Sequence, residues 1–319
     1  MIAYVARRLL AAALILGFTS VLVFGLTQLL PGSIAESILG QQATPDRVAA
    51  LQAELGLDRS AVAQYLDWLR GLLTGDLGTS LANGGDVAAY VGPRIVNSIV
   101  LLGIVVAVSV PLAVALGVWT AARPGGFADR IAGVVGLTVV ALPEFVVGVG
   151  AIILLATGVF HVLPAVSTLS GGGASVLSEP QVLVLPALTL IVVSVPYMMR
   201  MTRSTMVEAL RSEYVSMAEL NGLGERRVLL RHALPNAITP VYQVIAQTTA
   251  YLVGGIVILE VLFDYPGMGS ALVTAVNQRD LPVIQCLAMV IAGMQISVFL
   301  VADIAGVLQT PRVRTELVR

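Results

Sequence analysis

"EYVSMAELNGLGERRVLLRHALPN", residues 213–236, is the stretch on which the reading of this chain turns. It carries three Arg, three Glu and a His, while the sequence on both sides is dominated by Leu, Val, Ile, Ala and Gly. A polar, helix-prone block between two greasy runs must lie outside the medium that the runs occupy. Thr205 to Leu220 reads as one helix with Val207, Leu210, Tyr214 and Met217 on one face. Gly222 and Gly224 tolerate positive φ and end it. Glu225 to Ala233 reads as a second short helix, with its acid first and its bases later, as the helix dipole favours. Leu234-Pro235-Asn236 is expected to break that helix before the next apolar run. Loops that merely connect tend to be short and rich in turn residues. An ordered helix–turn–helix is better matched to a docking surface.

The composition names the medium. Of 319 residues, 57% are hydrophobic and 12% charged, and the mean hydropathy is +0.92. Soluble domains are about a quarter charged, so the chain's solvent is largely lipid. A net charge of −1 argues against nucleic acid as a partner. All 18 basic residues are Arg, and without Lys the chain has no nucleotide-binding P-loop of its own. The single Cys286 sits in an apolar run and reads as a small hydrophobe.

Six runs reach the ~20 apolar residues that a bilayer requires: 9–30, 97–121, 131–159, 182–200, 237–262 and 283–308. The first follows Arg7 and Arg8, is too long for a signal-peptide core, and leads into Pro31-Gly32-Ser33 rather than a small-residue cleavage site, so an uncleaved span is expected. Pro111, Pro143, Pro186 and Pro196 fall inside or near the ends of spans. Arginine distribution orients the whole. Arg7, Arg8, Arg123, Arg130, Arg200, Arg203, Arg211, Arg226, Arg227, Arg231, Arg312, Arg314 and Arg319 fall on one side, which is expected to be cytoplasmic together with both termini. The expected organisation is a first span at 1–30, an extracytoplasmic loop at 31–96, and a five-helix core at 97–319 that contains the block 205–236. Within the loop, "TPDRVAALQAELGL" (44–57) places Val48, Leu51 and Leu55 on one face, and Val62, Tyr65, Leu66, Leu69, Leu72 and Leu73 recur at helical spacing. Two amphipathic helices are expected, serving packing or a partner.

Ala218, Gly222 four residues on, and Leu234-Pro235 about a dozen further resemble the EAA loop of ABC-importer permeases. Ser216 and Met217 stand where the generic motif has Glu and Ala, as is common in the peptide-transporter branch. "YVARRLL" (4–10), "GDLGTS" (75–80), "NSIVL" (97–101), "LPALTL" (185–190), "RMTRSTMVEALRSEYV" (200–215), "EVLFDYPGMGSAL" (260–272) and "RDLPVIQ" (279–285) extend the likeness in order along the chain. The sequence therefore resembles the first permease subunit of dipeptide/oligopeptide ABC importers. It departs at Pro31-Gly32-Ser33, at Pro143-Glu144-Phe145 and at Thr310-Pro311-Arg312-Val313-Arg314.

The resemblance implies an all-α polytopic fold of six transmembrane helices in a bacterial cytoplasmic membrane. It implies a coupling helix in which Glu213, Ala218, Gly222, Leu223, Arg226, Arg227, Leu234 and Pro235 face or support a cytoplasmic ATPase. The implied partners are a second permease, two ATP-binding cassette subunits and an extracytoplasmic peptide-binding protein. No cofactor is expected on this chain, since ATP and Mg belong to the ATPases. Nickel, glutathione or another small solute are alternative cargos.

Three acids interrupt or border the spans: Glu144, Glu260 and Asp303. Intramembrane carboxylates are expensive unless they face protein, water or a partner. Asp303 is expected to pair with an Arg, and Glu260 to cap or gate the PGMG turn. Glu144 follows a helix-breaking Pro, so it either caps the second half-helix or lines a pathway for a cationic cargo group. His161 and His232 lie too far apart in topology to share a metal, and no nucleophile–base or ligand motif occurs, so an enzyme is not expected. A stand-alone secondary transporter would show internal repeats and would not need the polar block.

Overall fold

In a computed structural model, residues 2–29, 39, 43–54, 58–169 and 176–309 are described. Pro31-Gly32-Ser33, Leu55 and the segment from Thr310 to Arg319 lie outside them. The described residues form helices joined by irregular connections and contain no strand beyond an isolated Thr79–Asp86 bridge. In chain order the helices are α1 (Ile2–Gln28), α2 (Pro45–Glu54), α3 (Ala61–Thr74), α4 (Val87–Ala122), α5 (Phe127–Ala141), α6 (Glu144–Ala151), α7 (Gln181–Leu210), α8 (Glu213–Leu220), α9 (Glu225–Val228), α10 (Leu234–Leu262), α11 (Met268–Gln278) and α12 (Leu281–Gln309).

Among the described residues, five stretches are long and apolar enough to cross a membrane: Tyr4–Gln28, Val87–Ala122, Gln181–Leu210, Glu225–Leu262 and Leu281–Ala305. The span expected at 131–159 is not a straight helix. It is α5 paired with Glu144–Thr157, in which a π-helical stretch (Ile152–Thr157) continues α6; the two are bent by 104° at Leu142-Pro143 and make a sixth crossing only if the bent pair is one span. The cause is local. Proline pushes its predecessor into extended backbone, and Leu142 adopts φ −88°, ψ 136°. Pro111, Pro186 and Pro196 by contrast sit inside unbroken helices.

The block 205–236 also differs from expectation in two places. The helix expected from Thr205 to Leu220 is interrupted at Arg211-Ser212. Ser212 is extended (φ −77°, ψ 152°), and its hydroxyl donates back to the Ala209 carbonyl, competing with the helical ladder as Ser side chains do. At the other end, Leu234-Pro235 does not break the helix. A π turn over Leu229–Ala233 carries α9 directly into α10. There the Leu234 N–H reaches back to the Leu229 carbonyl. This wider winding accommodates a proline that would clash in a regular α-helix.

The main core lies between α4, α7, α10, α11 and α12, around Leu101, Leu190, Leu252, Ile256, Leu259 and Leu287. Helices α4 and α7 cross closely: a Cβ on Gly117 would stand 2.5 Å from the Thr202 Cβ. Small residues at such crossings let helices associate through backbone-level packing in lipid, where apolar contact alone offers no advantage over lipid tails. Helix α3 lies against α1, with Tyr65 and Trp68 on Phe24 and a 2.9 Å hydrogen bond between the Ser20 and Tyr65 hydroxyls. Val62, Leu66 and Leu73 of the expected apolar stripe remain exposed.

Candidate functional site

At the arginine-rich end of the bundle the block 213–236 builds a small core of its own. Val215, Ala218, Val228, Ala233 and Ala237 are buried together with Ala121 of α4 and Met206 of α7. The turn after α8 explains the Ala218 and Gly222 spacing. The Gly222 N–H donates to the Glu219 carbonyl (2.9 Å) and the Leu223 N–H to that of Ala218 (3.3 Å). This is the paired bonding of a Schellman C-cap. Gly222 occupies the left-handed position at φ +78°, and Leu223 folds back onto the small core beside Ala218. Gly224 needs no such freedom; it is extended at φ −63° and precedes α9.

Helix α8 turns one face to the small core and the other away from it. The interruption at Ser212 changes the helical phase, so Val215 and Ala218 point in, while Tyr214, Met217 and Leu220 point out. Leu220 is 82% exposed. These three stand at i, i+3 and i+6, so they form one apolar ridge. Glu213, Arg226, Arg227 and Pro235 are exposed around it, and Leu234 is half-buried.

An ion pair that the sequence did not announce anchors the preceding helix. Arg203 of α7 makes two hydrogen bonds to the buried Asp129 carboxylate of α5, one through Nη2 at 2.7 Å. Asp129 also accepts the Gly125 N–H at 2.8 Å. The available signal was an acid in the first turn of one helix and a cation in the last turns of another, which sequence distance left unpaired.

The three expected acids occupy separate places. Asp303 pairs with Arg8 at 2.8 Å, tying α12 to the start of α1. Glu260, at the far end of α10, is fully buried. It accepts from the Ser98 hydroxyl and from the N–H groups of Gly269 (2.6 Å) and Ser270 (3.2 Å). The last two open α11, so Glu260 caps that helix from a neighbouring one, which suits the positive end of its dipole. Beside it, Asn97 donates to the Pro266 carbonyl (2.9 Å) and accepts at its own carbonyl from the Tyr265 hydroxyl (2.7 Å). "NSIVL" and "EVLFDYPGMGSAL" are thus one structure. "GDLGTS" and "RDLPVIQ" are another: Ser80 donates to the buried Asp280, which also accepts the Leu81 N–H at 3.1 Å.

Glu144 begins α6 but does not cap it with its side chain. The Val146 and Val147 N–H groups go to the Pro143 carbonyl instead. The carboxylate, nearly buried, lies across α10 and accepts from the Tyr251 hydroxyl at 2.8 Å. Gly255 makes the room, since a Cβ there would meet Glu144 Oε1 at 2.8 Å. Tyr251 in turn lines a cavity of about 330 Å³ between α5, α7 and α10, with Ser194, Gln247 and Thr248 as its other hydrogen-bonding side chains besides Tyr197. The buried Thr248 hydroxyl has no hydrogen-bond partner among the described residues. Among the described residues, no three His, Cys, Asp or Glu side chains gather as metal ligands.

Comparison with known proteins places this geometry in context. Residues 113–315 match the family described as the binding-protein-dependent transport system inner membrane component, and residues 1–117 its N-terminal region. The chain is similar to the "Probable peptide ABC transporter permease protein y4tP" of Sinorhizobium fredii. The two are 32% identical over 98% of this chain and 99% of that one. It is also similar to the "Dipeptide transport system permease protein DppB" of Alkalihalophilus pseudofirmus, with 31% identity over 98% of this chain and all of the relative.

Proposed function

The chain belongs to the family of binding-protein-dependent transport system inner membrane components, and from that premise we propose that it is one permease subunit of an ATP-driven importer of peptides. It is a transport component rather than an enzyme. Peptide and dipeptide transport is what the names of the two relatives state, and this supports peptides over nickel or glutathione as the cargo. In this reading a second permease completes the pathway. Two ATP-binding cassette subunits, which carry the ATP and Mg, close on nucleotide and move the block 213–236. The pathway then opens towards a peptide-binding protein on the other side of a bacterial cytoplasmic membrane.

The exposed ridge Tyr214–Met217–Leu220 carries the assignment of the ATPase contact. A rigid, charged mini-domain that buries Val215 and Ala218 yet presents three large apolar side chains outward is built to be covered. Glu213, Arg226 and Arg227 supply a polar rim of both signs. A double variant Met217→Glu, Leu220→Glu should reduce co-purification of the ATPase subunits by about tenfold, as burying two uncompensated charges would. Its membrane level should match that of the wild type. Leu73→Glu, equally exposed on α3, is the control and should leave docking intact. Undiminished capture of the ATPases by the double variant would count against the ridge.

The orientation has its own check. Ala82→Cys and Gly224→Cys, each in a Cys286→Ala background, should react from opposite sides in whole cells. An impermeant reagent added outside should label only the first. Labelling of Gly224→Cys under those conditions would reverse the assignment of the arginine-rich end to the cytosol.

A further inference from the structure

We propose that the cavity between α5, α7 and α10 is a transient site for a cationic ammonium group on the cargo, read by Tyr251 with Glu144 behind it. The inference rests on the peptide-importer reading and adds to it the chemistry by which this chain handles the charged end of its cargo. The hydrogen-bond directions decide the ligand. Tyr251, which lines the cavity, donates its proton to Glu144, so its phenol oxygen has only acceptor capacity left. Its electron density is raised by the carboxylate to which it is bonded. Ser194 likewise donates to the Ile191 carbonyl at 3.3 Å and keeps its lone pairs. Thr248 also lines the space, and its buried hydroxyl has no partner among the described residues. Gln247 and Tyr197 can each accept as well as donate, and no cation is among the described residues that line the space. Tyr251 and Ser194, whose protons are committed elsewhere, can only accept and so match a ligand that donates, and the carboxylate behind Tyr251 matches a positive donor. The volume of about 330 Å³ suits one terminal residue rather than a whole oligopeptide.

This arrangement differs from a bare carboxylate in the path. A naked Glu would hold an ammonium as an ion pair and slow its release. With the charge set behind Tyr251, attraction is retained while the direct contact is a neutral hydroxyl, which favours passage over capture. Val140, Leu142 and Leu252 supply apolar wall for the side chain that follows the ammonium.

The test uses the assembled importer in detergent and in proteoliposomes. Val193→Cys, in a Cys286→Ala background, places a thiol on the cavity wall. Alanyl-alanine methyl ester, a cation, should slow its reaction with a small maleimide at least fivefold; N-acetyl-alanyl-alanine methyl ester should not. Adding Glu144→Gln or Tyr251→Phe should abolish that protection. In proteoliposomes, uptake of alanyl-alanine by Glu144→Gln and Tyr251→Phe, each normalised to wild type, should fall several-fold further than uptake of lactyl-alanine. That analogue replaces the ammonium with a hydroxyl, and normalisation cancels the preference of the unchanged binding protein. Equal protection by both esters, protection by neither, or equal loss of uptake for both cargos overturns the site. Cation-selective protection in an importer that carries neither peptide would leave the site standing and remove the peptide assignment instead.

Discussion

Gly222→Val is expected to abolish ATP-driven uptake while the protein still reaches the membrane. Gly222 stands at φ +78°, where an L side chain costs about 1–2 kcal/mol, and a β-branched one more because its Cβ substituents crowd the backbone. Nothing lies within 4 Å of the Cβ that would be added. The penalty is therefore conformational and not a clash, and the chain can escape it only by unwinding the turn. Unwinding releases the Glu219 and Ala218 carbonyls from their caps and lifts Leu223 off the small core. The ridge on α8 then loses its fixed relation to Arg226 and Arg227. Uptake should fall by more than tenfold, and the ATPases should co-purify poorly. Gly222→Asn is the companion variant, since Asn visits left-handed backbone at little cost and finds open space here; it should keep most of the activity. Normal uptake by the Val variant, or equal failure of both, would show that the turn's geometry is not what matters.

Glu260→Ala should be the most destabilising single change at the other end. It strands one hydroxyl and two N–H donors in a site with no access to water. Each buried unsatisfied group costs about 1–3 kcal/mol, so a loss of roughly 3 kcal/mol or more is expected. The side chain also fills the space above Gly267 and Gly269, and its removal leaves a void. In a protein of this size the apparent melting temperature in detergent should drop by roughly 5–10 °C. Glu260→Gln keeps one acceptor oxygen for the Gly269 and Ser270 N–H groups but turns an amide donor towards Ser98. It should therefore fall between wild type and Ala. A Glu260→Ala protein with unchanged melting would mean that α11 does not depend on its cap.

Much of the architecture was legible because it is local. Apolar runs long enough to cross a bilayer announce themselves, Leu142-Pro143 marks its own bend, and a Gly in left-handed backbone leaves a recognisable stop after Ala218. The expectation that Glu260 caps or gates the PGMG turn rests on the family resemblance and not on local pattern. What stayed hidden was of two kinds. The first is phase. A single extended residue, Ser212, breaks the helical face expected to join Val207 and Leu210 with Tyr214 and Met217, and a π turn lets Pro235 ride inside a helix that proline should end. Both depend on how the backbone resolves a local conflict, which residue type alone does not determine. The second is pairing across distance. Ser80 with Asp280, Arg203 with Asp129 and Tyr251 with Glu144 join residues from separate helices or loops. A single sequence shows each as an isolated polar residue, and only the packing of the spans supplies its partner.

Because the π turn at Leu229–Ala233 preserves the helix instead of ending it, Glu225 to Leu262 is one rod of 38 residues, about 57 Å long at 1.5 Å per residue. Its near end is welded into the ridge-bearing block, and its far end carries Glu260 in the capped turn. A rod of that length is a lever. Tilting it by only about one degree carries the opposite tip about 1 Å sideways, roughly the margin that separates a sound hydrogen bond from a broken one. Motion too small to disturb the packing at one surface of the membrane is thus large at the other. The one place where the rod winds loosely, beside Pro235, is where such a lever would bend first.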